Sequence, residues 1–194
     1  MTNIYTVLEQ VREHYLSGYI DAAENYRLKF TSSSPEVLLE LPSREDKPYP
    51  YRLYRVDLMS GAVEPPNMTE FNHDSHLTYE PIEALVSNHL SVTLSSTSWN
   101  AVEFESECYD PQSNLLTDWA LKWIDVEEKN TQNESGFGGY VHSITYPEEK
   151  NGKCIFSVDF GSAGTDSVYE LINVFLGLGV TRLAIHSRSY HEQP

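Results

Sequence analysis

The chain has 194 residues, 40% of them hydrophobic and 12% aromatic, so it can bury a core without staples and is not a disordered chain. Its formal net charge is −16, with 29 acidic against 13 basic residues. That balance repels phosphate and anionic lipid, so neither nucleic acid nor a membrane surface is an expected partner.

The first expected element is a helix carrying Ile4, Val7, Leu8, Val11 and Tyr15 at helical spacing, capped by Thr2 or Asn3 and ended by Gly18. Short strands are predicted at Tyr26–Phe30 and Glu36–Leu41, with a turn at Ser32-Ser33-Ser34-Pro35 between them. A stronger strand spans Tyr51–Met59. Val63–His76, rich in Pro, Asn and His, reads as a long loop. Strands recur at Leu90–Ser95 and Trp99–Cys108. Asp110-Pro111 opens a second helix with Leu115, Leu116, Trp119, Ala120 and Trp123 on its apolar face. A polar, glycine-containing loop covers Glu127–Gly139. Then come strands Tyr140–Tyr146 and Lys153–Phe160, a helix with Ser167 and Glu170 at capping-box spacing, and a strand Val180–His186. Residues 187–194 form a loose tail. The expected fold is α+β: one domain over 1–194, a mostly antiparallel sheet with about three helices packed on one face, and a weak candidate boundary near 127–139.

The charge is uneven. Up to Arg55 there are 8 acidic and 7 basic residues; from Val56 to Leu121 there are 11 acidic residues and no Lys or Arg; from Lys122 onward the count is 10 against 6. Within Trp99–Cys108, Val102, Phe104 and Cys108 point one way and Glu103, Glu105 and Glu107 the other, spacing the carboxylates by roughly 7 Å along one strand face. Such a row is either a solvated face matched by Arg52 or Arg55 on a neighbouring strand, or a docking surface for a basic protein.

Catalytic and metal signatures are sparse. His73 and His76 form a close pair, but two ligands do not make a metal site, and a solvated loop is the simpler reading. Gly161 to Ser167 sits between a strand and a helix; without a P-loop lysine it reads as a tight connection, not an anion cradle. Asp110, His142 and Asp159 are candidates to meet in space. Cys108 and Cys154 lack metal-ligand spacing and are expected to be reduced in a cytoplasmic protein. The N-terminus lacks a signal-peptide pattern, and no window is apolar enough for a membrane span. No cofactor is implied.

Tyr140–Tyr146, the run Ser157-Val158-Asp159-Phe160-Gly161-Ser162-Ala163 and the helix that follows resemble stretches in small acidic bacterial proteins of unknown function, some of them similar to immunity proteins of toxin systems. The resemblance implies a cytoplasmic protein that blocks a toxin without catalysis of its own. Two other readings stay open: a small-molecule enzyme with a site near the His73/His76 loop, and a scaffold or oligomer subunit.

Overall fold

The computed structural model describes residues 3–42, 47–61, 65–72, 77–109 and 113–187. The His73/His76 loop, Asp110 and most of the 187–194 tail lie outside them.

Helix α1 (Ile4–Lys29) starts where the Asn3 side chain accepts the Tyr5 amide at 3.1 Å. It runs straight through Gly18 and takes in the expected strand at Tyr26. The reason is the buried stripe that continues from Tyr15 across Gly18 to Tyr19, Ala23 and Tyr26 at 3–4 spacing. An interior glycine costs a helix only about 1 kcal/mol, less than those aromatic rings return on burial.

The strands are β1 (Ser33–Glu40), β2 (Leu53–Ser60), β3 (Asn67–Thr69), β4 (Ile82–Val86), β5 (Leu90–Leu94) and β6 (Val102–Glu107). After helix α2 (Leu115–Ile124) come β7 (Ser143–Ile144), β8 (Glu148–Lys150) and β9 (Lys153–Asp159), then helix α3 (Thr165–Gly177) and β10 (Arg182–His186). The result is α+β, with one sheet in the order β1-β2-β7-β9-β6-β10-β5-β4; β3 also pairs with β2, and β8 with β9. Its pairings are antiparallel except β5 with β10. The expected turn at Ser32–Pro35 is instead the start of β1, an end strand of the sheet order, where a proline is tolerated. The expected strand Tyr140–Tyr146 shrinks to two residues because the backbone ahead of it is engaged elsewhere. The amides of Tyr140, Val141 and His142 go to Ser162 Oγ, Trp123 O and Asp159 O, respectively.

Helix α3 is capped at Gly164, so Ser167 lies inside its first turn and does not cap it: the Ser167 hydroxyl donates to Gly164 O. Glu170 reaches away to Lys122 and the Trp123 indole. The helix stops in a Schellman turn. Gly179 adopts φ +76°, its amide donates to Leu176 O, and the Val180 amide donates to Phe175 O.

Val102, Phe104, Trp119, Val158, Phe160, Leu171 and Phe175 share one core, as their stripes predict. Phe104, Phe156 and Phe175 stack with centroids 5.4 to 6.0 Å apart, and Trp99 lies 4.8 Å from Phe160. Among the described residues, no helix is long and apolar enough to cross a membrane.

Candidate functional site: a buried imidazole among carboxylates

A second, polar centre lies in the same interior. His142, just ahead of β7, is 1% exposed. Its backbone stitches two strands together: its amide donates to Asp159 O and its carbonyl accepts the Arg55 amide. Its ring lies between two carboxylates that are themselves 1% and 2% exposed, Glu36 and Asp57. Nε2 is 2.8 Å from Glu36 Oε1. Nδ1 is 2.8 Å from Asp57 Oδ1, but off the line an Nδ1–H would take, so this contact is a close charge pair and not a straight hydrogen bond.

Register explains the arrangement. Pro35 faces Leu58 and Val37 faces Val56, which leaves Glu36 opposite Asp57. Glu36 takes a left-handed backbone, φ +52°. That is uncommon for a glutamate and is held here from several sides. Its carbonyl accepts Arg55 Nη1, and Oε2 accepts the Gly138 amide. Arg55 in turn lies 3.7 Å over the Tyr140 ring and donates to Ile124 O and Asp125 O.

Gly161 makes room for the imidazole. A Cβ there would stand 2.1 Å from His142 Cδ2, and the backbone φ of +47° independently favours glycine. The Gly161 amide donates to Asp159 Oδ1. The expected tight connection is therefore observed, and its polar groups are used internally: Ser162 Oγ accepts the Gly139 and Tyr140 amides, and Ala163 O accepts Arg12 Nε.

Helix α1 covers the centre with two tyrosines. Tyr19 donates to Asp57 O at 2.9 Å and meets the His142 ring edge-on at 5.9 Å. Tyr15 is 2% exposed, and its hydroxyl finds no hydrogen-bond partner among the described residues. Burial, with Asp159 and Asp57 nearby, pushes its pKa up. From the opposite side Asp57 Oδ2 accepts the Phe71 amide at 2.6 Å.

Burial opposes a charge on His142, but Asp57 and Glu36, with Asp159 behind them, outweigh it and hold the imidazole pKa well above its ordinary value. Asp159 is partly exposed as a residue, yet its carboxyl is enclosed; desolvation raises its pKa to about 7 against the opposing pull of His142. Glu70 is exposed overall, but partial burial of its carboxyl and the neighbouring Asp57 charge also bring it to about 7. Among the described residues no three His, Cys, Asp or Glu side chains are arranged to hold a metal ion.

His142 and Asp159, two of the three residues that were candidates to meet, do come together; Asp110 lies outside the described residues. Sequence reasoning missed Glu36 and Asp57. The available signal was a carboxylate inside each of two apolar strands, Glu36 before Val37-Leu38-Leu39 and Asp57 between Val56 and Leu58.

Glu103, Glu105 and Glu107 do share a face of β6, but their counter-ions are not Arg52 or Arg55. Arg52 pairs with Glu40, and Arg55 is held by carbonyls. The cations come instead from β9 and β10: Lys153 pairs with Glu105 and Arg182 with Glu107 at 2.8 Å, while the His186 ring lies 3.6 Å from Glu103. Glu103 is only 5% exposed. Arg182 and Thr181 hold the Glu107 carboxyl down to about 2. The row is a cross-strand ladder of ion pairs, because the strands that supply its cations are distant in sequence.

Comparison with known proteins finds no family model, no curated protein and no solved structure that matches the chain.

Proposed function

We propose that the protein is an acidic protein-binding module that captures a basic protein, an immunity-type inhibitor of a bacterial toxin being its most concrete form. The observation that supports this reading is the formal charge of −16, in a molecule whose convergent histidine and carboxylates are enclosed. His142, Glu36 and Asp57 are each at most 2% exposed, so the bulk of the negative charge lies outside this centre and acts on the surroundings. A surface of this sign draws a cationic partner and chiefly raises its association rate. Glu105 and Glu107, partly exposed, border that surface, with Lys153 and Arg182 offsetting their charge; Glu103, buried, contributes little.

The second reading is a small-molecule enzyme near the His73/His76 loop. One observation favours it: Phe71, which leads into that loop, donates its amide to Asp57. Against it, both nitrogens of His142 face carboxylates, so neither is left to exchange a proton with a substrate.

The test is capture of partners on the immobilised protein at low salt, identification by mass, and stopped-flow association with the purified partner. A basic partner whose association slows about tenfold between roughly 20 and 200 mM salt is expected. An acidic partner, or a rate indifferent to salt, overturns the reading.

A further inference from the structure

β4 ends the sheet order: β5 lies on one side of it, and among the described residues no strand pairs with the other side. Which backbone groups face that open edge follows from β5. The Ser91 amide donates to Thr181 O and the Ser95 amide to Ile185 O, so Ser91, Thr93 and Ser95 turn their backbone groups toward β10. Successive residues of a strand point these groups to opposite sides. Leu90, Val92 and Leu94 therefore face β4, where their register partners are Val86, Ala84 and Ile82. The amides and carbonyls of Glu83 and Leu85 are left on the open edge. Pro81, which has no amide to offer, bounds that edge at one end, and the turn at Ser87 and Asn88, both with left-handed backbone, bounds it at the other.

The side chains of the same two residues stand on the solvent face. Leu85 is 65% exposed and Glu83 is exposed, while Ile82, Ala84 and Val86 pack against the core. An edge strand with an exposed apolar side chain beside open backbone groups is a template for one more strand. Charge selects the occupant. Glu80 and Glu83 are both exposed, and no Lys or Arg occurs from Val56 to Leu121. A second copy of this chain brings no cation to Glu83: whichever residues are paired, β4 and its flanks contain none, and each copy carries a net −16. An extended segment of a basic protein meets both side chains at once. We infer that the outer edge of β4 is the docking edge for such a segment, which adds to the sheet as a strand with a Lys or Arg opposite Glu83 and an apolar side chain, two residues away, opposite Leu85. The inference rests on the proposed capture of a basic protein and names the place where that protein is held.

The probe is a short blocked peptide carrying lysine and leucine two residues apart, titrated into the full chain and followed by amide NMR. The amides of Glu83 and Leu85 are expected to shift and to gain exchange protection, while those of β6 and β9 stay unchanged. The same peptide N-methylated at its lysine and leucine keeps the charge and loses the two donors, and should bind about tenfold more weakly. Glu83→Lys, at an exposed position, should weaken the unmodified peptide by about fivefold. Equal binding of the N-methylated peptide overturns the inference, as does a peptide that does not bind or that shifts the acidic surface and leaves Glu83 and Leu85 unmoved. Sedimentation that shows a dimer dispersed by the peptide assigns the edge to a second copy and overturns the basic occupant. The partner obtained by capture separates the two claims. If it associates with the expected salt dependence and the peptide does not compete with it, this edge is wrong and the basic-partner reading stands. If capture yields no basic partner, that reading fails and the occupant named here fails with it.

Discussion

Two centres of the same interior solve burial in opposite ways. Around Phe104, Phe156, Phe160 and Phe175, side chains from β6, β9 and α3 meet ring against ring, and each ring is at most 2% exposed. Contacts of that kind carry no proton and no charge. Around His142, the buried carboxylates Glu36 and Asp57 and the partly exposed Asp159 gather a set of ionisable groups, with α1 tyrosines as the cover. The first region gains from every square ångström removed from water; the second recovers desolvation only through a particular arrangement of partners and protons. The apolar centre is thus indifferent to pH, and the polar centre depends on it.

The largest expected effect belongs to the apolar side. Phe104→Ala should cost about 3–5 kcal/mol in chemical denaturation, because it deletes a ring stacked on two others, and the loss should be the same at pH 6 and pH 8. A loss that varies strongly with pH would erase the contrast between the centres.

His142→Leu should cost nearly as much, about 3–4 kcal/mol at neutral pH, since it leaves Glu36 and Asp57 buried without their cation. Unlike the phenylalanine change, its cost should shrink as pH rises, because the contribution of His142 is full below 6.5 and is lost through its raised pKa. The wild type itself should show the same linkage. Asp159 rises from 3.8 to about 7 on folding and Glu70 from 4.5 to about 7, while His142 rises well above 6.5. The folded state therefore binds more protons than the unfolded one, and stability falls as pH rises. The carboxyl contribution is full below about pH 4 and is lost through about 7; the histidine contribution is full below 6.5 and is lost higher, through its raised pKa. Denaturation midpoints measured from pH 5 to 9 check this, and a stability that climbs over that range would contradict it.

The smallest effect lies on the exposed ladder. Glu105→Gln removes a surface pair with Lys153 and should change stability by about 0–1 kcal/mol, as a denaturation midpoint will show. A larger loss would make the ladder a structural element on a par with the interior.

Much of this was legible before any coordinates. The stripes of α1, α2 and α3 name the helical part of the apolar core, because a helix repeats its buried face at a local spacing that the chain carries within itself. The strands β2, β5, β6 and β9 are legible for the same reason, and so is the glycine stop of α3. The continuation of α1 past Gly18 was not, since it depends on what Tyr19 and Tyr26 pack against. The two-residue β7 was not, since its neighbours spend their amides on Trp123, Asp159 and Ser162.

The polar centre lay furthest from view. Glu36, Asp57, His142 and Asp159 are separated by up to 123 positions (159 minus 36), and no local pattern links them. Their meeting rests on the β1–β2 register, on β7 lying between β2 and β9, and on a glycine at 161 that leaves space for a ring. The same holds for the partners of Glu105 and Glu107, which arrive from β9 and β10. Composition and periodicity determined that this chain folds as α+β with an apolar core and an acidic exterior, because burial of apolar faces is a local property summed along the chain. Only the tertiary structure decided which charges are matched and which protons are held, because pairing of charges depends on distance in space and not on distance in sequence.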